Sequence, residues 1–187
     1  MLSRGEIILK KMIDKIIFSP WSFWSYLWKF QSKKHSFTLP LAGFLISTLY
    51  ISVAYAITNN FAEWRGYTIF TSSTIIDDNM PFIKNSIYIY AAYYFLFGAM
   101  VLSVPLNKKG LIECIFTYQI LILFSTLCFL IFVLMPIKVD TRMGLDTGEG
   151  LVSTMYEFLH LADPPYNSWP SLHVLHSILL SWVLIRW

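Results

Sequence analysis

Charge is what this chain has least of. Asp, Glu, Lys and Arg make up 13% of its 187 residues, where a soluble domain carries about 25%. So little charge excludes a disordered chain, a nucleic-acid-binding arm and an ordinary soluble enzyme. Cysteine is nearly absent as well, with only Cys114 and Cys128 present. On one helix these two would stand roughly 21 Å apart at about 1.5 Å per residue, too far to bridge. No C-x-x-C or comparable metal-ligand spacing occurs, and cysteine says nothing about compartment; no cofactor is expected. The sequence also shows no internal repeat, no low-complexity tract and no cleavable signal-peptide pattern.

What fills the chain instead is apolar. Hydrophobic residues make up 56% and aromatics 18%, and the mean hydropathy is +0.57. This composition predicts an integral membrane protein of one compact domain. A membrane helix needs about 20 mostly apolar residues, because the hydrocarbon core is about 30 Å thick. Four segments qualify or nearly do: Leu39 to Ile57, Ile87 to Leu106, Leu111 to Met135, and Ser171 to Trp187. Pro40 suits the first turn of its helix, while Pro105 and Pro136 stop theirs. The expected fold is therefore an all-α, polytopic transmembrane helical bundle of about four spans, occupying residues 38–187.

Residues 1–37 read differently. Between Glu6 and Phe30, Lys10, Lys11 and Lys15 alternate with Ile7, Ile8, Leu9, Ile13, Ile16 and Ile17. Trp21, Phe23, Trp24, Tyr26, Leu27 and Trp28 follow. A basic amphipathic stretch leading into a tryptophan cluster predicts an interfacial amphipathic helix. The alternative is a fifth, poor span through Ile16 to Phe30.

Orientation follows from the basic residues. With the N-terminus in the cytoplasm, ten lie inside (Arg4, Lys10, Lys11, Lys15, Lys29, Lys33, Lys34, Lys108, Lys109, Arg186). Four lie outside (Arg65, Lys84, Lys138, Arg142), which accounts for all 14. The expected protein is thus multi-pass, with two outer segments at about 58–86 and 136–170.

The second outer segment holds nearly all the polar chemistry. Leu151, Met155, Phe158, Leu159 and Ala162 share one helical face, which predicts a short helix resting on the surface. Pro164 and Pro165 forbid helix after it. Ser171 is a good N-cap, so the last span should begin there. Its first turn then offers free N–H groups and the positive dipole end to an anion. His173 sits in that turn. An imidazole beside a phosphate cradle is what general acid catalysis on a phosphate ester requires. Lys138 and Arg142 could supply countercharge. A plainer reading stands beside this one. A histidine at a membrane interface is ordinarily satisfied by hydrogen bonds, and Lys138 and Arg142 are ordinary interface anchors. His176, one turn deeper, is expected to pack or to bond between helices. His160 is expected to be solvated, and Glu113 to be structural.

The run Pro164-Pro165-Tyr166-Asn167-Ser168-Trp169-Pro170-Ser171-Leu172-His173-Val174 resembles the central motif of the type 2 phosphatidic acid phosphatase superfamily. It looks closest to the branch of inositol phosphorylceramide synthases, where P-S-L-H-V replaces P-S-G-H. Asp77 to Ile83, with Tyr88 and Tyr90 after it, is also similar to that branch. Pro136 to Arg142 stands where the first motif falls, although Lys138 and Arg142 are only four apart and no Pro follows. The resemblance covers roughly residues 40–187.

It implies a metal-independent phosphatase or phosphotransferase acting on a lipid phosphate ester at the outer membrane face. Ser171 would hold the phosphate, with Lys138 and Arg142 as a clamp. His173 would be the general acid. A third-motif histidine, oriented by an aspartate, would form a phosphohistidine. No such pattern follows Trp187, and His35, His160 and His176 do not fit it. The sequence is therefore expected to be a fragment lacking the nucleophile, or a small polytopic membrane protein that binds headgroups or partners without catalysis. A transporter or channel subunit has little support, since the spans carry few charges or breaks. Expected partners are membrane lipids and a lipid phosphate, not nucleic acid, together with a helix to cover an open flank of the bundle.

Overall fold

The computed structural model describes residues 14–16, 19–31, 37–69, 81–139, 146–162 and 165–187. Among these, six helices have defined bounds: α1 (Ser22–Phe30), α2 (Thr38–Arg65), α3 (Ser86–Ser103), α4 (Lys108–Leu134), α5 (Leu151–Ala162) and α6 (Leu172–Arg186). Three of them, α2, α3 and α4, are long and apolar enough to cross a membrane. The fourth expected crossing, α6, is apolar but has 15 residues. At about 1.5 Å per residue that is about 22 Å, short of the hydrocarbon core.

The contacts fix how the helices run. Along α2 and α4 the paired residues rise together: Tyr118 donates to the Pro40 carbonyl at 2.7 Å, Tyr50 bonds Thr126 at 2.7 Å, and Arg65 donates to the Val133 carbonyl. These two helices are parallel. So are α3 and α6, where Tyr90 meets His173 and Tyr93 meets His176. α4 and α6 run oppositely, since Ser125 meets His176 while Glu113 meets Arg186. The bundle thus has one end that carries α5 and the loops, and an opposite end where α2 and α4 begin and α3 and α6 finish.

Most of the packed core lies toward the opposite end. Leu39, Phe97, Met100, Val101, Cys114, Ile115, Tyr118, Leu180 and Val183 form it, and both cysteines are free thiols. Lipid tails are as apolar as leucine, so close packing and polar bonds must hold such helices together. Gly43 provides the close approach: a Cβ there would meet the Tyr118 ring at 2.5 Å. Ser47, Thr48, Thr117 and Thr126 return their hydroxyls to carbonyls of their own helices, so these four do not need a partner from lipid. At the far rim Glu113 accepts from Arg186 at 2.9 Å and from the Trp187 indole at 3.1 Å.

The front of the amphipathic stretch, through Ile13, lies outside the described residues. Its tryptophan part docks on the bundle. Trp24, 1% exposed, stacks on Tyr118 with ring centroids 6.2 Å apart. The Trp21 backbone N–H donates to Gln119 Oε1 at 2.9 Å, and Gln119 Nε2 donates to the Ser19 carbonyl at 3.1 Å. With 9 residues, about 14 Å, α1 is too short to cross a bilayer. Replacing Gln119 by Leu strands both backbone groups, at a cost of about 1–3 kcal/mol each when buried. We expect Q119L to release the Trp21–Trp28 segment. A red-shifted tryptophan emission and faster proteolysis near Ser19 would register it; an unchanged spectrum would mean that Trp24 packing alone holds α1.

Candidate functional site

The loop end is assembled from three segments far apart in sequence. Ile137 and Asn167 form a parallel β-bridge. Val139 N–H donates to the Pro165 carbonyl at 3.0 Å. The Ile69 N–H donates to the Pro136 carbonyl at 3.0 Å, and the Lys138 N–H to Thr68 Oγ1 at 3.1 Å. Asn167 ties the assembly to the bundle, its amide donating to the Tyr55 carbonyl at 3.3 Å and to Thr58 Oγ1 at 3.1 Å. The extended run after Pro136 therefore lies alongside the run that leads into Ser171.

Lys138 sits here half-buried, its ammonium 5.7 Å from the centre of the Tyr166 ring. Arg142, Asp163 and the stretch Asp77 to Met80 lie outside the described residues. Ser171 caps α6 as its residue type predicts, accepting from the Val174 N–H at 3.4 Å. His173 occupies the second position of α6. Its ring lies against Tyr90 and Tyr93, with centroids 4.6 and 4.5 Å apart.

His173 and Ser171 do not look into the same space. His173 lines a cavity of about 300 Å³ together with Ser52, Tyr55, Tyr90, Tyr93, Tyr94, Leu159, Leu172 and His176. Ser171 lines a separate apolar groove of about 680 Å³ on the outer side of α6, with Phe124, Trp169, Val174, Ile178 and Trp182. Successive residues on a helix point about 100° apart, so two positions divide them between faces.

Behind His173 lies a buried polar chain that the sequence did not advertise. His176 is 1% exposed. Its Nδ1 lies 2.6 Å from the Tyr93 hydroxyl, and its Nε2 lies 2.8 Å from Ser125 Oγ. The Ser125 hydroxyl hydrogen goes to the Leu121 carbonyl at 2.7 Å. Its oxygen is then left to accept from His176 Nε2–H, and in a neutral ring Nδ1 accepts from Tyr93 O–H. His176 is thus the interhelical hydrogen-bond residue expected, joining α3, α4 and α6. Tyr93, Ser125 and Asn167 were not singled out beforehand. The signal for Tyr93 was there, since Tyr90, Tyr93 and Tyr94 fall on one helical face.

α5 forms where expected, but only part of the expected face turns inward: Met155 and Leu159 are half-buried and line a pocket against α3. Phe158 is 74% exposed and Leu151 is also exposed, while Tyr156 is the buried residue. Tyr156 packs on Phe82 at 5.5 Å and lies 3.5 Å from the Ser86 hydroxyl. His160, expected to be solvated, is half-buried with its ring 5.8 Å from Tyr156.

Comparison of the chain with protein-family models, with curated proteins and with solved structures finds no match.

Proposed function

We propose that this is a multi-pass membrane protein that engages a lipid phosphate ester at its loop end, in the manner of the type 2 phosphatidic acid phosphatases. One observation carries the proposal. The Pro136–Val139 run and the Pro165–Asn167 run are bonded side by side, so Lys138 lies at the same end as the P-S-L-H sequence that opens α6. In this reading Lys138 and Arg142 neutralise the phosphate, and Ser171 with the α6 N-terminus helps hold it. His173 gives its proton to the leaving oxygen as a nucleophile from outside these motifs bonds to phosphorus and the P–O bond to the leaving group breaks. The family's phosphohistidine step needs another histidine, which no motif in these 187 residues supplies. The chemistry assigned here is therefore phosphate binding and protonation, in a phosphatase or a phosphotransferase.

The membrane arrangement belongs to the same proposal. α6 serves as a short fourth crossing, α1 lies in the interface, and the positive-inside bias puts the loop end outside the cytoplasm. Lipid or a partner helix fills the groove along α6.

The placement of Ser171 and His173 in different cavities favours a second reading, a headgroup-binding protein without catalysis. The deciding experiment is turnover of a short-chain phosphatidic acid by the protein expressed from its native locus and purified in maltoside, with chelator present. Phosphate release or transfer that depends on His173 supports the first reading. Binding without turnover supports the second.

A further inference from the structure

The cavity beside His173 has walls suited to one kind of group. Four phenol rings line it, those of Tyr55, Tyr90, Tyr93 and Tyr94, and among the described residues no Asp, Glu, Lys or Arg does. The most polar atoms near its floor are already committed. Both His176 nitrogens are engaged, and so is the Tyr93 hydroxyl. What the wall offers is mainly aromatic surface.

Three classes of small headgroup can be compared against such a wall. A primary ammonium brings three N–H donors and is bound best by a carboxylate, which no described residue of this lining supplies; each unmet donor carries a desolvation cost. A polyol brings several hydroxyls, each wanting a partner, and beside the rings the wall has only the Ser52 and tyrosine hydroxyls and the His173 ring to meet them. A quaternary ammonium brings positive charge and no donor at all, and aromatic rings attract it through their negative faces. At about 300 Å³ the cavity is at the small end of ligand sites, which suits a headgroup rather than an acyl chain.

The geometry points to a tyrosine cage for a trimethylammonium group, carried by a choline-type headgroup whose phosphate lies toward Lys138 and the start of α6. The phosphate half of this statement rests on the function proposed above; the cage does not.

The test measures binding by calorimetry to the full protein in maltoside micelles. The probes are dihexanoyl phosphatidylcholine, the same lipid with a neutral 3,3-dimethylbutyl group in place of choline, dihexanoyl phosphatidylethanolamine, and choline chloride alone. The cage predicts that the choline lipid binds about tenfold more tightly than its carbon isostere and than the ethanolamine lipid. Equal affinity for the choline lipid and the isostere would overturn it, because the site would then read shape and not charge. Choline alone displacing the lipid supports a cage that takes the free cation too. Failure of choline alone, with the lipid preference intact, supports a cage that needs the lipid's phosphate. Tyr90→Leu should weaken choline-lipid binding about tenfold, while Tyr90→Phe, which keeps the ring, should stay within about twofold. Tyr94, 59% exposed, offers the same pair of variants without touching the buried core. If Leu and Phe behave alike at both positions, the cage is wrong. Choline selectivity without His173-dependent turnover would remove the catalytic reading and leave the cage standing. Turnover without choline selectivity would do the reverse.

Discussion

His173→Ala should lower at least a hundredfold whatever turnover of a lipid phosphate the natively expressed protein shows. A positioned general acid contributes roughly 10²–10⁴ in rate, and nothing else in the first turn of α6 can donate a proton in its place. The neighbouring Tyr93 hydroxyl is engaged with His176. His176 itself is buried and bonded at both nitrogens. The size of the defect should track the leaving group. An alkoxide needs a proton, so the lipid phosphate suffers in full. A p-nitrophenyl ester leaves without one, so the same variant should lose far less on it. A loss below about tenfold on the lipid, or an equal loss on both substrates, would remove His173 from the acid role. The ring is packed between Tyr90 and Tyr93, so unfolding must be measured alongside. His173→Gln, which keeps most of the volume, separates lost chemistry from lost packing.

The second large effect is on stability and lies at the opposite end. A Cβ on Gly110 would overlap the Pro105 backbone carbonyl and crowd its Cβ. Backbone cannot rotate away as a side-chain tip can. The turn between α3 and α4 is held tightly at this point, because Asn107 caps α4 by accepting from the Gly110 N–H at 2.8 Å. Gly110→Ala should therefore cost about 3 kcal/mol, the upper part of the range for overpacking. Gly98 supplies the control. It also lies inside a helix, and nothing stands within 4 Å of where its Cβ would go. Gly98→Ala should be neutral or gain up to about 1 kcal/mol from helix propensity alone. Thermal unfolding of the two variants in the same detergent makes the comparison. Equal melting temperatures would mean that the α3–α4 turn shifts freely, and that the contact with Pro105 does not constrain it.

How much of this could be read from residues alone depended on the kind of signal. Apolar runs located the helices well, because length and hydropathy are summed over many positions. The ends were harder. α2 continues to Arg65 and not to Ile57, since Thr58 and Asn60 bond back to the helix at the Ala54 and Ala56 carbonyls and Gly66 closes it in the left-handed conformation. Polar residues that satisfy themselves do not end a helix, and a hydropathy window cannot see that. The cap at Ser171 was legible because one residue type does one job there. The face of α5 was not. Leu151 and Phe158 belong to the expected apolar stripe, yet both are exposed, and Tyr156 won the interior through Phe82. The polar chain from Tyr93 through His176 to Ser125 was half legible. His176 was expected to bond between helices, but its partners lie 83 and 51 residues away, and no local pattern names them.

The bridge between Ile137 and Asn167 has a consequence for how this protein can vary. It pins both ends of a loop of about thirty residues that includes α5. Closing a loop costs entropy that rises only as the logarithm of its length, so doubling this one would add only about 0.6 kcal/mol. The length of the segment beneath the bridge therefore bears little on the pairing of the two runs it connects. α5, whose Leu159 reaches the cavity wall, could be lengthened, shortened or exchanged at little cost to the pairing. The length of this loop and the pairing that sets Lys138 beside the run into Ser171 are therefore free to change independently.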